Sequence, residues 1–303
     1  MSKRLRKRLW QAALLIFLLL NLLSYVGVYG FTHYRSPGQF GFGQTRPDSS
    51  KLPSEAGLAY ITRRIPVGRQ AWLETWLIPA SHASAQGTVL LFPGNGGSKG
   101  SQLLAPAQVL HNLGYDLMLV DFRGVGGSSG NTSTVGMREA EDVALAVRFA
   151  QAQKLPPPLV LYGVSMGSVA ILKGVAQNKV AVDAIVLELP FVRLLDAVRS
   201  RLRVLRLPPF PVAEMIVFWG SVQHHVNGFT HNPVVYASEV KCPTLILQGQ
   251  LDKWTSLAEI RQLFDQLKGR KQLVIFPEAG HQLLVTADQQ LWRRSVDQFL
   301  EAI

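Results

Sequence analysis

Cysteine is nearly absent from this chain of 303 residues, in which Cys242 is the only one. A single cysteine excludes an intrachain disulfide, and no group of cysteine and histidine residues has the spacing of a structural zinc site. The sequence also lacks internal repeats and long low-complexity tracts. With 48% hydrophobic residues, the chain beyond its N-terminal segment is suited to a single large α/β domain.

Acidic residues are few, since 20 Asp and Glu stand against 31 Lys and Arg, and the formal net charge is +11. Such an excess can indicate nucleic-acid binding. Here, however, five of the positive charges lie in one short N-terminal cluster: Lys3, Arg4, Arg6, Lys7 and Arg8. The stretch that follows, residues 9–31, has only three strongly polar side chains: Gln11, Asn21 and Ser24. The basic cluster therefore indicates a membrane, and not a nucleic acid, as the partner.

Residues 9–31 are long and apolar enough to cross a bilayer, because about 20 residues at ~1.5 Å rise span a hydrocarbon core of ~30 Å. The alternative is a cleaved signal peptide, with residues 1–8 as its basic region. No Ala-x-Ala cleavage site follows, and four aromatic residues are typical of an interfacial belt: Tyr25, Tyr29, Phe31 and Tyr34. We therefore expect an uncleaved transmembrane signal anchor, with residues 1–8 cytoplasmic and the remainder extracytoplasmic, which is periplasmic in a bacterium.

The remaining sequence divides into a linker and a folded domain. Residues 32–58 are rich in Gly, Pro, Ser and Gln and are interpreted as a linker, and residues 59–303 as the domain. Residues 60–67 and 70–78 are typical of a hairpin at an antiparallel sheet edge. Short apolar runs then alternate with helical stretches, at residues 88–92, 116–121, 159–162, 184–189, 244–248 and 272–276. Continuous apolar runs of this kind predict a mostly parallel central sheet flanked by helices.

One interval is too long for a single crossover helix, because about fifty residues separate the run that ends at Leu189 from the one that starts at Thr244. It predicts a small helical lid at about residues 191–240. An apolar stripe in this lid consists of Leu195, Val198, Leu202 and Leu205, and it is accompanied by Arg199, Arg201, Arg203 and Arg206. The arginines would meet anionic lipid headgroups or form a solvated basic face.

The segment Gly163-Val164-Ser165-Met166-Gly167 directly follows an apolar strand and precedes an apolar helix. In that context the pattern G-x-S-x-G predicts a nucleophile elbow, in which a strained turn exposes the serine hydroxyl. Small residues at positions 163 and 167 allow the strand and the helix to pack closely. We predict that Ser165 is a nucleophile, with Gly163 and Gly167 in supporting roles; the alternative is an ordinary glycine-rich turn.

A serine nucleophile requires a base and an orienting carboxylate. Of the seven histidines, only His281 follows the last predicted strand, so we predict that it is the base. Asp252 lies in the loop after the preceding strand and is the predicted acid, with Glu188 as the fallback. The chain order is then Ser, Asp, His, as expected for α/β-hydrolases.

An oxyanion hole would complete this site. One expected donor is the backbone N–H of Met166, and the other is that of Asn95, in the glycine-rich loop at residues 92–98. Gly94 supports this loop because it lets the backbone curve towards the substrate.

Taken together, these segments resemble the α/β-hydrolase superfamily, and specifically its monoacylglycerol-lipase-like and Bem46-like serine hydrolases of the esterase and lysophospholipase type. The resemblance covers about residues 59–303 and rests on five segments: residues 92–97, 121–130, 163–167, 249–252 and 280–281. It implies an α/β-hydrolase fold, with Asp121 and Arg123 in supporting positions beside the site. One departure is Pro93, where relatives commonly have histidine, and this puts the oxyanion geometry in doubt.

The predicted reaction is hydrolysis of carboxylic esters through an acyl-enzyme, without cofactor or metal ion. The apolar lid and the membrane segment favour lipid-like or acyl esters. A thioesterase, amidase or acyltransferase would use the same triad, so these remain alternatives. A binding module without activity is a further alternative, although such a module would usually lack a triad residue. The sequence does not indicate an oligomeric state.

Overall fold

The computed structural model describes residues 2–36, 40–48, 51–81 and 84–303. The strands in these ranges are β1 (Tyr34–Arg35), β2 (Gln44–Thr45), β3 (Ile61–Val67), β4 (Ala71–Ile78), β5 (Thr88–Phe92), β6 (Asp116–Val120), β7 (Leu159–Val164), β8 (Ala184–Glu188), β9 (Thr244–Gly249) and β10 (Lys271–Phe276). The α-helices are α1 (Lys3–Thr32), α2 (Lys99–Gln102), α3 (Leu104–Asn112), α4 (Glu139–Ala152), α5 (Met166–Gln177), α6 (Leu194–Val204), α7 (Val212–His224), α8 (Pro233–Ala237), α9 (Leu257–Gln266), α10 (Leu284–Ala287) and α11 (Gln289–Glu301).

Eight strands form one sheet in the order β10-β9-β8-β7-β5-β6-β4-β3. All neighbours are parallel except at one edge, where β4 pairs antiparallel with both β6 and β3. The predictions of a mostly parallel sheet and of an antiparallel edge hairpin are therefore confirmed. Because β5 lies between β6 and β7, the chain reverses its direction across the sheet there, and a crevice opens at the carboxyl ends of β5 and β7.

The central strands are buried on both faces, which explains their continuous apolar sequences. Side chains such as Leu90 and Leu161 pack with α4 and α5 on one face. Their neighbours in sequence, such as Val89 and Val160, pack with α3 and α11 on the other face. Burying each such side chain stabilises the fold by roughly 1.5–3 kcal/mol. The resulting rigid sheet holds the loops at its carboxyl edge.

Helices α6, α7 and α8 lie between β8 and β9, in the interval predicted as the lid. Of the predicted apolar stripe, Leu202 is buried and Leu195 and Val198 are half-buried, but the prediction is wrong at Leu205, which is 67% exposed. The reason is that α6 ends at Val204, so that Leu205 lies beyond the last turn and leaves the packed face.

The N-terminal helix α1 is a candidate membrane span by its length and apolar composition. Its first half is exposed, whereas Ser24, Val28 and Thr32, one helical turn apart, are buried. This face packs against α7 through contacts such as the one from Trp219 Nε1 to Asn21 Oδ1, at 3.2 Å.

The segment predicted as a linker lies against the sheet domain. Tyr34 is buried, and the Arg46 guanidinium donates to the carbonyl oxygens of Gly126 and Gly130, both at 3.1 Å. Leu58 is also buried. Residues 37–39 and 49–50 of this segment lie outside the described residues. The division of the chain into linker and domain at residue 58 stays a prediction.

Candidate active site

Ser165 lies at the sharp turn between β7 and α5, with φ 49° and ψ −107°. A non-glycine residue with this backbone conformation is strained and needs support from its surroundings. The Ser165 N–H donates to the Glu188 carbonyl at 2.7 Å, and the Ser168 hydroxyl donates to the Gly163 carbonyl at 2.6 Å. These bonds hold the turn in place and keep the Ser165 side chain at the sheet edge.

The glycines on both sides of Ser165 are required by close backbone contacts. A Cβ at Gly163 would lie 2.5 Å from the carbonyl carbon of Gly167. A Cβ at Gly167 would lie 2.5 Å from the carbonyl oxygen of Phe92. Such distances are too short for any side chain, so both positions need glycine. The same close packing brings the glycine-rich loop after β5 up to the serine turn.

The structure brings the three residues of the predicted triad together. His281 Nε2 lies 3.1 Å from Ser165 Oγ, and His281 Nδ1 lies 2.7 Å from Asp252 Oδ2. The Asp252 side chain is fully buried, and the His281 side chain is 13% exposed. With Nδ1–H donated to the carboxylate, Nε2 is left as the acceptor for the serine proton.

Asp252 is held by several donors besides His281. Its Oδ1 accepts from the N–H groups of Trp254 at 2.7 Å and Thr255 at 3.3 Å, and its Oδ2 accepts from Gln248 Nε2 at 3.0 Å. Burial alone would raise the pKa of this carboxyl. The hydrogen bond and charge of His281, together with the Trp254 and Thr255 N–H groups, outweigh burial and hold the pKa below its ordinary value. Asp252 is therefore ionised and fixed in orientation.

Glu188, the fallback acid, makes different contacts. Its carboxylate accepts from the N–H of Leu284 at 2.7 Å, the hydroxyl of Tyr162 at 2.7 Å and Nε1 of Trp292 at 2.9 Å. Burial raises its pKa. The bond to Leu284 fixes the loop that carries His281, so Glu188 supports the position of His281 through this loop.

The two predicted oxyanion donors lie on the elbow and on the loop that faces it. The N–H groups of Asn95 and Met166 have no acceptor within the described part of the chain. The Gly94 N–H, in contrast, donates to Gln102 Oε1 at 2.7 Å. A Cβ at Gly94 would lie 3.4 Å from Cβ of Ser165, so this loop passes directly beside the nucleophile. Both N–H groups are therefore free to bind a substrate oxygen.

The side chains that hold Asn95 were not predicted from the sequence. Its Oδ1 accepts from the Tyr34 hydroxyl at 3.2 Å and from the Ser133 hydroxyl at 3.0 Å. Tyr34 belongs to the segment predicted as a linker, and no local pattern associates it with a site 61 residues further along the chain. The β1–β2 pair, the bond from the Tyr34 N–H to the Asn131 carbonyl, 2.7 Å, and the bond from the Ser133 N–H to the Thr32 carbonyl, 2.9 Å, help to place it there.

Trp254 was also missed. Its ring centroid lies 4.4 Å from that of His281, and Cζ of the Arg201 guanidinium, on lid helix α6, lies 4.5 Å from the centroid of the Trp254 ring. Its position two residues after Asp252 was the only available signal. Through Trp254, the lid helix α6 reaches the histidine.

A buried ion cluster fixes the loop that carries Asn95. Lys99 is fully buried, and its ammonium group pairs with Glu74 at 3.0 Å and with Asp121. The Lys99 N–H also donates to Asp121 Oδ1 at 2.7 Å. Arg123 pairs with Asp142 at 2.6 Å on the neighbouring helix α4. The geometry is consistent with the supporting positions predicted for Asp121 and Arg123.

Two family models match the chain. One is described as serine aminopeptidase, S33, and matches residues 83–233. The other is described as PhoPQ-activated pathogenicity-related protein and matches residues 223–302. The first match contains the elbow, and the second contains the loops that carry the aspartate and the histidine.

Among the curated relatives, the protein YqkD of Bacillus subtilis is 24% identical over 193 residues, which are 63% of this chain and 63% of YqkD. The lysophosphatidylserine lipase ABHD12 of Danio rerio is 26% identical over 84% of this chain and 67% of that protein. Protein bem46 of Schizosaccharomyces pombe is 22% identical over 79% of this chain and 77% of its own length. The chain thus spans about two thirds of the length of the first two relatives.

Among solved structures, the esterase Pf2001 of Pyrococcus furiosus superposes with a TM-score of 0.71 at 19% identity, over 90% of this chain and 99% of the esterase. Mouse alpha/beta hydrolase domain-containing protein 10 superposes with a TM-score of 0.60 at 16% identity, over 80% and 99%. The predicted fold is confirmed.

Proposed function

The chain is an α/β-hydrolase of the esterase and lipase type, similar to the Bem46-like proteins, and from that premise we propose that it cleaves carboxylic esters through an acyl-enzyme on Ser165. The observation that carries the proposal is the position of His281, whose ring bridges Ser165 Oγ at 3.1 Å and Asp252 Oδ2 at 2.7 Å. A nucleophile, a base and an orienting carboxylate linked in this way support acyl transfer.

In the first half of the proposed reaction, Ser165 Oγ attacks the ester carbonyl carbon while its proton passes to His281 Nε2. The carbonyl oxygen becomes an oxyanion and accepts hydrogen bonds from the N–H groups of Asn95 and Met166. Asp252 stabilises the imidazolium that forms. When the tetrahedral intermediate collapses, the C–O bond to the alcohol breaks and His281 returns the proton to the departing oxygen.

In the second half, a water molecule attacks the acyl-enzyme and gives its proton to His281 Nε2. The new oxyanion uses the same two N–H groups. Collapse breaks the bond between the acyl carbon and Ser165 Oγ, which takes the proton back, and the carboxylic acid is released. Each donor preorganised at the oxyanion contributes about 2.7–4 kcal/mol of transition-state stabilisation in such sites.

An amide substrate is the second candidate, because the family model that matches residues 83–233 is described as a serine aminopeptidase. The same triad would serve, and His281 would protonate the leaving amine. Thioester hydrolysis and acyl transfer use the same steps with another leaving group or acceptor. The relative described as a lysophosphatidylserine lipase favours the ester.

For the location of the enzyme, we propose a single-pass anchor formed by α1. The basic residues 3–8 would stay in the cytoplasm, and the catalytic domain would lie on the opposite side of the membrane. Lipid-like esters would then be within reach of the site.

The proposal is tested by hydrolysis of p-nitrophenyl esters from acetate to palmitate, beside the Ser165→Ala variant. The full chain in detergent is used, because a truncation near Gln44 would remove Tyr34 from Asn95. Activity that disappears in the variant supports the ester reaction, and a long-chain optimum supports a lipid substrate. No activity above the variant, combined with cleavage of an aminoacyl p-nitroanilide, would favour the amide.

A further inference from the structure

Lid helix α7 packs along the second half of α1. Trp219 Nε1 donates to Asn21 Oδ1 at 3.2 Å, and Gln223 Nε2 donates to the carbonyl of Tyr25 at 2.9 Å. His224 Nε2 lies 2.8 Å from Thr32 Oγ1. Higher residue numbers on α7 meet higher numbers on α1, so the two helices run in the same direction.

The length of α1 places this contact within the membrane. Residues 9–20 between the basic cluster and the first contact would span only about 18 Å at ~1.5 Å per residue, whereas the hydrocarbon core is ~30 Å thick. The rest of the span has to come from residues that already touch α7, beginning at Asn21. Any placement of α1 across a bilayer therefore brings α7 to the far leaflet.

Exposed apolar side chains lie on the same part of the lid. We define the lid apolar surface as Leu205, Leu207, Phe210, Phe218 and Val222, which are between 45% and 75% exposed. The first three precede the N-terminus of α7. Since α7 runs parallel to α1, this end of the helix is the one directed towards the membrane interior.

The charged groups around the lid apolar surface are compatible with an interfacial position. Arg203 and Arg206 are exposed beside Leu205 and can reach lipid phosphates. The ion pair between Arg199 and Glu214, whose side chains are 34% and 25% exposed, limits how deeply the helices can sink. Immersion in the outer half of the bilayer, with the arginine side chains extended towards the headgroups, satisfies both conditions.

We propose that the lid apolar surface is immersed in the outer half of the lipid bilayer, and that the substrate is a membrane-resident acyl ester that reaches Ser165 beneath the lid. The second part rests on the proposed function. The lid apolar surface is close to the triad, because Arg201, on the last turn of α6 before Leu205, contacts the ring of Trp254, which in turn packs on His281. The C-terminal end of α6 thus connects the immersed loop to the triad.

Immersion is tested directly by labelling Phe210→Cys with an environment-sensitive fluorophore, in a Cys242→Ala background. The full chain is reconstituted in phosphatidylcholine vesicles with one fifth phosphatidylglycerol, with and without doxyl-labelled lipid. The matched control is Ile61→Cys, since Ile61 is 50% exposed on the edge strand β3. We expect quenching of the Phe210 label at least about three times that of the control. Equal quenching at the two positions would overturn the immersion.

The substrate route is tested with Phe210→Asp and the control Ile61→Asp on two substrates. We expect Phe210→Asp to lower hydrolysis of a fluorogenic long-chain ester embedded in the vesicles about tenfold, which corresponds to ~1.4 kcal/mol. Hydrolysis of water-soluble p-nitrophenyl acetate should change less than about twofold. Equal losses on both substrates, or no loss on the embedded ester, would contradict the route. If the wild type cleaves neither ester, the proposed function has failed, while the quenching experiment still decides the immersion.

A second inference follows from the contacts of Asn95. The Tyr34 side chain is 4% exposed, and its hydroxyl donates to Asn95 Oδ1 at 3.2 Å, beside the Ser133 hydroxyl at 3.0 Å. Tyr34 lies two residues after the end of α1. We infer that Tyr34 is a positioning residue, which fixes the Asn95 N–H for the oxyanion and makes the oxyanion hole depend on the segment next to the membrane.

The test compares Tyr34→Phe with the control Tyr60→Phe, because Tyr60 is half-buried on the opposite side of the β3–β4 hairpin against Trp76. We expect kcat to fall about fivefold to tenfold in Tyr34→Phe with KM unchanged, and inhibition by a boronic acid, which mimics the oxyanion, to weaken in parallel. A raised KM with unchanged kcat, or a lower melting temperature without a kinetic effect, would overturn this role.

Discussion

The triad and its surroundings differ in how the chain builds them. Ser165, Asp252 and His281 follow three strands of the parallel part of the sheet, β7, β9 and the edge strand β10, so the rigid sheet brings them to its carboxyl edge. The contacts around them come from distant segments, since Tyr34 reaches Asn95 from the end of the candidate membrane helix α1 and Arg201 reaches Trp254 from the lid. The chemistry thus depends on short loops, whereas access and fine positioning depend on packing between remote parts of the chain.

Substitution of Asp252, the proposed acid of the triad, is expected to have the largest effect on activity. In Asp252→Asn the amide cannot hold His281 in the tautomer that accepts the serine proton, so we expect kcat to fall about 10³-fold to 10⁴-fold. The measurement is p-nitrophenyl ester hydrolysis at pH 7. A loss of less than tenfold would show that another group orients His281.

The elbow is sensitive to a single methyl group. Gly167→Ala would place Cβ 2.5 Å from the carbonyl oxygen of Phe92, so we expect a loss of about 2–4 kcal/mol in the free energy of unfolding or failure to fold. The control is Gly174→Ala on the same helix, where the nearest atoms are 3.4 Å away and alanine favours the helix. Equal melting temperatures for the two variants would contradict the close packing.

Substitution of Glu188 distinguishes a contribution to stability from a contribution to catalysis. In Glu188→Gln an amide nitrogen in the place of Oε2 can accept from neither Tyr162 nor Trp292, so we expect a loss of about 1–3 kcal/mol in stability. Esterase activity at a temperature where the variant is folded should stay within about tenfold of the wild type. A loss as large as that of Asp252→Asn would instead make Glu188 the acid.

The smallest expected effect is a pH dependence of stability. The pKa of Asp252 is lowered in the folded chain, so its contribution is present above the pKa of the unfolded carboxyl, about 3.9, and is lost as the pH falls through the folded-state value. The melting temperature of the wild type should exceed that of Asp252→Asn by a few degrees at pH 7. That difference should shrink below about pH 4, and a constant difference from pH 3 to 7 would contradict the ionised carboxylate.

The strands and the loops after them were predictable because each central strand is a continuous apolar run with a glycine-rich or polar turn at its carboxyl end. The loops at residues 163–167 and 249–252 follow this rule, and residues 280–281 come after the partly buried edge strand β10. Leu205 shows where periodicity fails, since its spacing fits the stripe but α6 ends one residue earlier. The spacing of apolar residues does not determine where a helix stops.

The contacts of residues 32–58 could not be predicted for a different reason. Their composition is typical of a linker, and their attachment relies on single long-range hydrogen bonds, such as those of Arg46 to the loop at residues 125–130. Bonds of this kind leave no periodic pattern in the sequence. Tyr34 was accordingly assigned to the membrane interface and not to Asn95.

The central claim is that Ser165 is an activated nucleophile, and the most direct measurement is covalent labelling of the full chain with a fluorophosphonate followed by peptide mass spectrometry. The account predicts one phosphonylated peptide, modified at Ser165, with labelling slowed about 10³-fold or more in His281→Ala because the base is lost. Labelling at another serine, or equal labelling rates in the wild type and His281→Ala, would contradict it.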